Sequence, residues 1–225
     1  MVKFENLNIA SYVFLGLFIL ASIIQLIFAF LEKEKYRRIE KPFLLLFLSL
    51  FAVVTFPNHP FIYVATICGL LGDIFVILKP KRFLYFGALA FFLGFVFYAL
   101  EALLFILNGN VSWIMWVVIG VYYAAMMIFI IFTIGKRLVH KNRDLVGLGL
   151  YLSALLTLLP ILVYTTSQYG HAMFLAIIGN VFFIFSDFTI VYTKFVKKFK
   201  RYDFYVMLTY LLAQALIVLG FILSI

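Results

Sequence analysis

Charged residues are scarce in this 225-residue chain: they make up 12% of it, whereas hydrophobic residues make up 67%. Soluble domains have about twice that share of charge, and a soluble protein of this size could not bury so much apolar surface. The single cysteine, Cys68, excludes an internal disulfide and any CxxC metal pair. The composition therefore excludes a soluble enzyme, a disordered chain and a collagen-like chain, and it indicates an integral membrane protein.

Apolar runs that could cross a membrane fill almost the whole chain. Eight of them are present, at about residues 9–31, 42–57, 61–78, 83–107, 112–135, 145–166, 172–193 and 204–224. No soluble domain or low-complexity linker separates them, so we expect residues 1–225 to form one all-α, multi-pass membrane domain. The first run is longer than a signal-peptide core and has no convincing cleavage site, which favours a retained span.

The basic residues orient these spans. Every lysine and arginine except Lys3 falls in the segment after span 1, 3, 5 or 7, and the segments after spans 2, 4 and 6 carry none. By the positive-inside rule, the basic segments face the cytosol and both termini lie on the other side. The net charge of +9 is then an orientation signal that also attracts anionic membrane lipids, and it gives no reason to expect a nucleic-acid partner.

Three of the nine acidic residues, Asp73, Glu101 and Asp187, fall within spans. A carboxylate there costs about 2.5–3.5 kcal/mol on insertion scales and usually faces the bundle interior. Asp73 and Asp187 precede the next basic segment by six and seven residues, which places both about 9–11 Å inside the cytosolic boundary. The matched depth predicts a shared pocket; the alternative is that both only hydrogen-bond neighbouring helices. Glu101 lies near the opposite end, where it could pair with Tyr98 or reach the interface.

Other polar residues of the spans reach related depths and are candidate substrate ligands. They are Tyr98, Ser186, Tyr210 and Gln214. All three histidines, His59, His140 and His171, fall in predicted loops. We therefore expect no metal site within the membrane, no histidine base for a serine nucleophile and no cofactor.

Short motifs in a fixed order carry a family resemblance. They are Lys41-Pro42, Gly72-Asp73, Gly87-x3-Phe91-x6-Tyr98, Ser186-Asp187 and Tyr210-x3-Gln214. From about residue 40 to its end, the sequence resembles the lysoplasmalogenase (YhhN) family of eight-span membrane proteins. The resemblance implies cleavage of the vinyl ether bond of lysoplasmalogens to a fatty aldehyde and a glycerophospho-ethanolamine or -choline. It matches Asp73 and Asp187 to the family's intramembrane aspartates and Lys41 to its basic residue at the membrane face. The family usually has a histidine three residues before the span 4 tyrosine; here that residue is Phe95.

The chemistry of this reaction suits two buried aspartates. A vinyl ether is hydrolysed by protonation of its β-carbon, after which water adds to the oxocarbenium ion, so one carboxylic acid and one carboxylate are needed, as in glycoside hydrolysis. Asp73 and Asp187 could supply both, with Lys41 holding the phosphate of the lysolipid. Two alternatives remain: a transporter with two parallel four-helix halves that uses the aspartates as a relay, and a non-catalytic lipid-binding relative.

Overall fold

The computed structural model describes residues 7–78, 82–107, 158–166, 171–195 and 197–224, with isolated positions between 113 and 156. Within these residues the protein is all-α. Its helices are α1 (Ile9–Phe30), α2 (Glu34–Thr55), α3 (Pro60–Ile77), α4 (Arg82–Leu107), α5 (Phe174–Phe195) and α6 (Tyr202–Ser224). A short 3-10 turn (His171–Met173) precedes α5, and residues 158–166 are helical. Most of predicted span 5, the first part of predicted span 6 and the segment between them lie outside the described residues.

Five of the helices follow the predicted spans closely. The bounds of α1, α3, α4, α5 and α6 fall within two residues of the apolar runs. Among the residues that the structure describes, four stretches are long and apolar enough to cross a membrane: Ile9–Phe30, Pro60–Ile77, Tyr85–Leu104 and Tyr202–Ser224. In α5 the apolar stretch is shorter, Phe174–Ile190. These helices make the chain an integral membrane protein.

Helix α2 differs from the predicted span 2, because it begins at Glu34 and not near residue 42. The expected basic loop is therefore mostly helix, and only residues 31–33 separate α1 from α2. Glu34 stabilises this start, since it pairs with Arg38 one turn later and is an acid in the first turn of a helix. Pro42 lies inside the helix, where it removes one backbone hydrogen bond without ending the helix. The basic residues before the apolar run thus take fixed positions on helix faces.

Small residues bring the helices close together in two pairs. A Cβ on Gly94 of α4 would lie 3.1 Å from the carbonyl oxygen of Ala65 on α3. A Cβ on Gly220 of α6 would lie 2.5 Å from the backbone nitrogen of Ala176 on α5. Helix α2 packs between α1 and α3, and α1 also contacts α6. Close backbone approach through small residues is how helices commonly associate in lipid.

The bundle has two distinct ends. One end carries residues 31–33, the first turns of α2 and residues 197–201, and it is called the basic end below. The opposite end carries the turn between α2 and α3 and the last turns of α4. Between them, the largest fully buried side chains include Phe51, Phe183 and Phe221. Within this apolar interior several polar side chains are almost completely buried, so they need hydrogen-bond or charge partners inside the bundle.

Candidate functional site

Asp73 is the centre of the buried polar groups near the basic end. It lies on the last turn but one of α3 and has no exposed surface. Lys41 Nζ of α2 lies 2.8 Å from Asp73 Oδ1, and the Tyr210 hydroxyl of α6 donates to Asp73 Oδ2 at 2.8 Å. Three helices therefore contribute to one cluster, called the Asp73 cluster below. A cation and a hydrogen-bond donor on separate oxygens favour the ionised carboxylate at this position.

The neighbouring glycine and aromatic residues explain why Tyr210 reaches Asp73. Gly72 leaves room for the Phe91 ring, because a Cβ there would lie 2.8 Å from two of its carbons. Phe91 in turn meets the Tyr210 ring edge-to-face, with centroids 6.4 Å apart. Lys41 Nζ lies 5.5 Å from the centre of the same ring, a cation–π distance. The Gly-Asp dipeptide thus permits the packing that positions the phenol.

Asp187 and Ser186 occupy the adjoining face of α5. Asp187 is buried, with 8% of its surface exposed, and it follows Phe183 by one helical turn. The Phe183 ring lies 5.4 Å from the Tyr210 ring, so Asp187 is on the helix next to the Asp73 cluster. Ser186 is buried as well, and its hydroxyl donates to the Val206 carbonyl at 3.2 Å. That bond joins α5 to α6, and a role of Ser186 in binding substrate stays a prediction.

Tyr98 and Gln214 form a second polar layer farther from the basic end. The Tyr98 hydroxyl lies 3.5 Å from Gln214 Oε1, at the limit of a hydrogen bond. Gln214 follows Tyr210 by one turn of α6 and also lies against Gly69, where a Cβ would be 3.6 Å from its Nε2. Both side chains are at most 3% exposed. The predicted ligands on α4 and α6 are therefore brought together, directly above Tyr210.

Phe95, which takes the place of the family histidine, belongs to the aromatic group beside the Asp73 cluster. It is 3% exposed, and its ring meets Phe183 edge-to-face with centroids 4.8 Å apart. Phe183 also contacts the Tyr210 ring, with centroids 5.4 Å apart. A histidine at position 95 would therefore share an aromatic neighbour with the phenol that binds Asp73.

Glu101 has a partner that the sequence analysis missed. Its Oε1 lies 2.6 Å from His59 Nδ1, and its side chain is 3% exposed. This pair lies at the end of the bundle opposite the basic end, about 20 Å from Asp73 along α3. The expectation for Glu101 was Tyr98 or the interface. A signal was present, because the turn that holds His59 and the end of span 4 are predicted on the same side of the membrane.

Two further polar contacts at the basic end were also missed. Arg37 of α2 forms an ion pair with Asp203 of α6, with Nη1 and Oδ1 2.5 Å apart. With its amide oriented to suit its neighbours, the buried Gln25 of α1 donates to Glu40 Oε2 at 2.6 Å. Burial raises the pKa of Glu40, which precedes the apolar run of α2, to about 7. Glu40 and Asp203 lie just outside predicted spans 2 and 8, so neither contact was predicted.

Metal ligands do not assemble in the part of the chain that the structure describes: no three His, Cys, Asp or Glu side chains there form a group that could hold an ion. The groups assembled at Asp73 are a carboxyl, an ammonium and a phenol. Apolar helices around a buried ion pair define an integral membrane protein with a polar site inside the bilayer region.

Comparison with known proteins agrees with this class. The model of the YhhN family matches residues 36–221, and the chain belongs to that family. The matched range contains every predicted site residue, from Lys41 to Gln214. No curated protein and no solved structure matches the chain.

Proposed function

We propose that this protein is a membrane-embedded hydrolase that cleaves the vinyl ether bond of lysoplasmalogen-type lysolipids. Membership of the YhhN family supports a lysoplasmalogenase-type activity. The single observation that carries the proposal is the fully buried Asp73, with the Lys41 ammonium at one oxygen and the Tyr210 hydroxyl at the other. A buried ion pair is costly to place in a membrane, and such groups usually have a function.

The two donors at Asp73 indicate which aspartate acts as the carboxylate and which acts as the acid. We assign Asp73 the role of the carboxylate, because the Lys41 ammonium and the Tyr210 hydroxyl both favour that form, and we assign Asp187 the role of the acid. The Asp187 hydroxyl protonates the β-carbon of the vinyl ether, and the resulting oxocarbenium ion is stabilised by the Asp73 carboxylate. Water then adds to the cation while Asp73 accepts its proton, and the hemiacetal collapses to the aldehyde and the glycerol hydroxyl. The proton returns to Asp187, which balances the cycle; the same division of roles operates in glycoside hydrolysis.

The topology that suits this reaction is the predicted one, with eight spans, both termini outside the cytosol and the basic end in the cytosol. Asp73 lies four residues from the end of α3 at Ile77, about 6 Å along the helix axis. In a lysolipid the vinyl ether lies just below the headgroup. A lysolipid of the cytosolic leaflet would therefore present this bond at the depth of the Asp73 cluster.

Release of the fatty aldehyde tests the proposal. Purified protein is incubated with an alkenyl lysolipid, and the saturated alkyl ether serves as the substrate control. We expect Asp73→Asn and Asp187→Asn each to lose at least about 100-fold in kcat, the scale of general acid–base catalysis. Glu101→Gln removes the third buried carboxyl, at the opposite end, and should keep activity. Full activity in either aspartate variant contradicts the two-aspartate mechanism, and no aldehyde from the unaltered protein contradicts the hydrolase.

A second candidate is a transporter that uses the same aspartates as a polar relay. It is favoured by one observation: polar pairs continue from the Asp73 cluster through Tyr98 and Gln214 towards Glu101. In proteoliposomes a relay predicts proton or cation flux that Glu101→Gln abolishes, whereas a hydrolase predicts no flux. The absence of both flux and aldehyde release would leave a non-catalytic lipid-binding role.

A further inference from the structure

The ion pair between Arg37 and Asp203 lies on the same two helices as Lys41 and Tyr210, nearer the basic end. Its Arg37 Nη1 and Asp203 Oδ1 atoms are 2.5 Å apart, and the two side chains are 19% and 30% exposed. The pair is therefore reachable from solvent, unlike Asp73, which has no exposed surface. Nothing in the mechanism above uses it.

The register of the helices aligns this pair with the cluster beneath it. Arg37 precedes Lys41 by four residues on α2, and Asp203 precedes Tyr210 by seven on α6, spacings that return a side chain to the same helix face. The ion pair is thus displaced from the Asp73 cluster by about 6 Å along α2 and about 10 Å along α6, towards the basic end. The same two helices carry both layers.

We propose that Arg37 and Asp203 form a headgroup subsite for zwitterionic lysolipids, in which Arg37 binds the phosphate and Asp203 binds the ammonium group. This inference rests on the proposed function and identifies the residues that would recognise the headgroup. A zwitterionic headgroup carries one charge of each sign, so it replaces both partners of the ion pair and leaves neither charge unpaired. An anionic headgroup satisfies Arg37 but leaves the Asp203 carboxylate without its cation.

The distance between the vinyl ether and the phosphate of the substrate matches the distance between the two layers. In a lysolipid the glycerol unit separates the vinyl ether oxygen from the phosphate by about one helical turn, which is the rise between Lys41 and Arg37. Lys41 was the predicted phosphate ligand, but its ammonium lies 2.8 Å from Asp73. Arg37 offers a planar group that binds phosphate through two parallel hydrogen bonds.

Arg38 provides a matched control. It is the next residue on α2, it carries the same charge, and it pairs with Glu34 on its own helix. Its side chain is 46% exposed, whereas that of Arg37 is 19% exposed. Arg38→Gln therefore makes the same change in net charge without touching the subsite.

The test measures hydrolysis of alkenyl lysolipids with ethanolamine, choline or glycerol headgroups. We expect Arg37→Gln to raise KM roughly tenfold for all three, with kcat nearly unchanged, as for the loss of a charge-assisted contact in a partly exposed site. Asp203→Asn should raise KM for the two amine headgroups and not for the glycerol headgroup, so that the preference for zwitterions is lost. Arg38→Gln should change neither. An unchanged headgroup preference in Asp203→Asn overturns the subsite.

A binding measurement separates this inference from the hydrolase proposal. Saturated alkyl lysolipids with the same headgroups are titrated into the purified protein and their thermal stabilisation is compared. If the unaltered protein releases aldehyde but shows no headgroup preference in either assay, the subsite is wrong and the hydrolase stands. If it prefers zwitterionic alkyl lipids and releases no aldehyde, the hydrolase is wrong and the subsite stands.

A charge-swapped variant excludes a purely structural role. Arg37→Asp with Asp203→Arg can re-form the ion pair between α2 and α6, so thermal stability lost in the single variants should return. The phosphate and ammonium positions are exchanged in this variant, and we expect KM to remain raised. Recovery of both stability and KM would show that the pair only joins the helices.

Discussion

Removing the Lys41 ammonium should destabilise the protein because it leaves the Asp73 carboxylate buried without its cation. Asp73 has no exposed surface, and the Lys41 side chain is 21% exposed. Breaking a buried ion pair by removing one partner costs about 3–5 kcal/mol. The Tyr210 hydrogen bond remains in Lys41→Met and Lys41 is partly exposed, so we expect the lower end, about 3 kcal/mol.

The second half of this prediction is a rescue. Adding Asp73→Asn to Lys41→Met replaces the unpaired carboxylate by a neutral amide of the same shape, and we expect about 2 kcal/mol of the loss to return. The assay is unfolding in mild detergent for the two single variants, the double variant and the unaltered protein. Lys35→Met, an exposed lysine on the first turn of the same helix, serves as the control and should change stability by less than about 0.5 kcal/mol.

Two results would refute the reasoning. A Lys41→Met variant within about 1 kcal/mol of the unaltered protein would mean that water or an added proton compensates the Asp73 carboxylate. A double variant no more stable than Lys41→Met would mean that the loss comes from the packing of the lysine stem and not from an unpaired charge. Neither result depends on which lipid the protein acts on.

Other predictions concern packing, pH and the missing histidine. Gly220→Ala should lower the free energy of unfolding by about 1–3 kcal/mol, because its Cβ would meet the Ala176 backbone. Gly16→Ala should be neutral, because nothing lies within 4 Å of its Cβ position. Unfolding of both variants in detergent checks this prediction, and equal stability of the two variants contradicts it. Burial favours neutral Glu40, so stability should fall as the pH rises from about 4.5 to about 7 and then level off. Melting curves should show a smaller decline for Glu40→Gln, and an identical decline would mean that another group titrates. Phe95→His should lower the melting temperature but raise aldehyde release, and unchanged release would exclude this position from proton transfer.

The spans were predictable because lipid imposes a simple rule on the sequence. A segment that crosses the membrane must be long and apolar, and four of the five helices that follow the predicted runs satisfy that rule on their own. Helix α2 does not, because its first two turns are charged and its stability there comes from local pairing of Glu34 with Arg38. Hydropathy alone therefore placed its start eight residues too late.

The Asp73 cluster was predictable in part for a similar reason. A carboxylate inside a span demands partners, and depth along the helices pointed to Tyr210, whereas Lys41 was expected to bind the phosphate and not Asp73. The need for a partner also applied to Glu101, but it led to Tyr98 on the same helix and not to His59 in the turn between α2 and α3. Arg37 and Asp203 gave no such signal, since their charges are ordinary at a membrane surface. Only the rotation of α2 against α6, which tertiary packing sets, brings them together.

The glycine contacts between α5 and α6 bear on how the protein is assembled in the membrane. Gly179 of α5 lies against the Ala213 carbonyl, and Gly220 of α6 lies against Ala176, so each helix fits a gap in the other. This fit needs nothing from α1 to α4. The two helices can pair as a hairpin during insertion, and the bond from Ser186 to the Val206 carbonyl then covers part of the polar face of α5. The surface that carries Asp187 can thus form within this one hairpin, and the helices that carry Asp73 and Lys41 then pack against it.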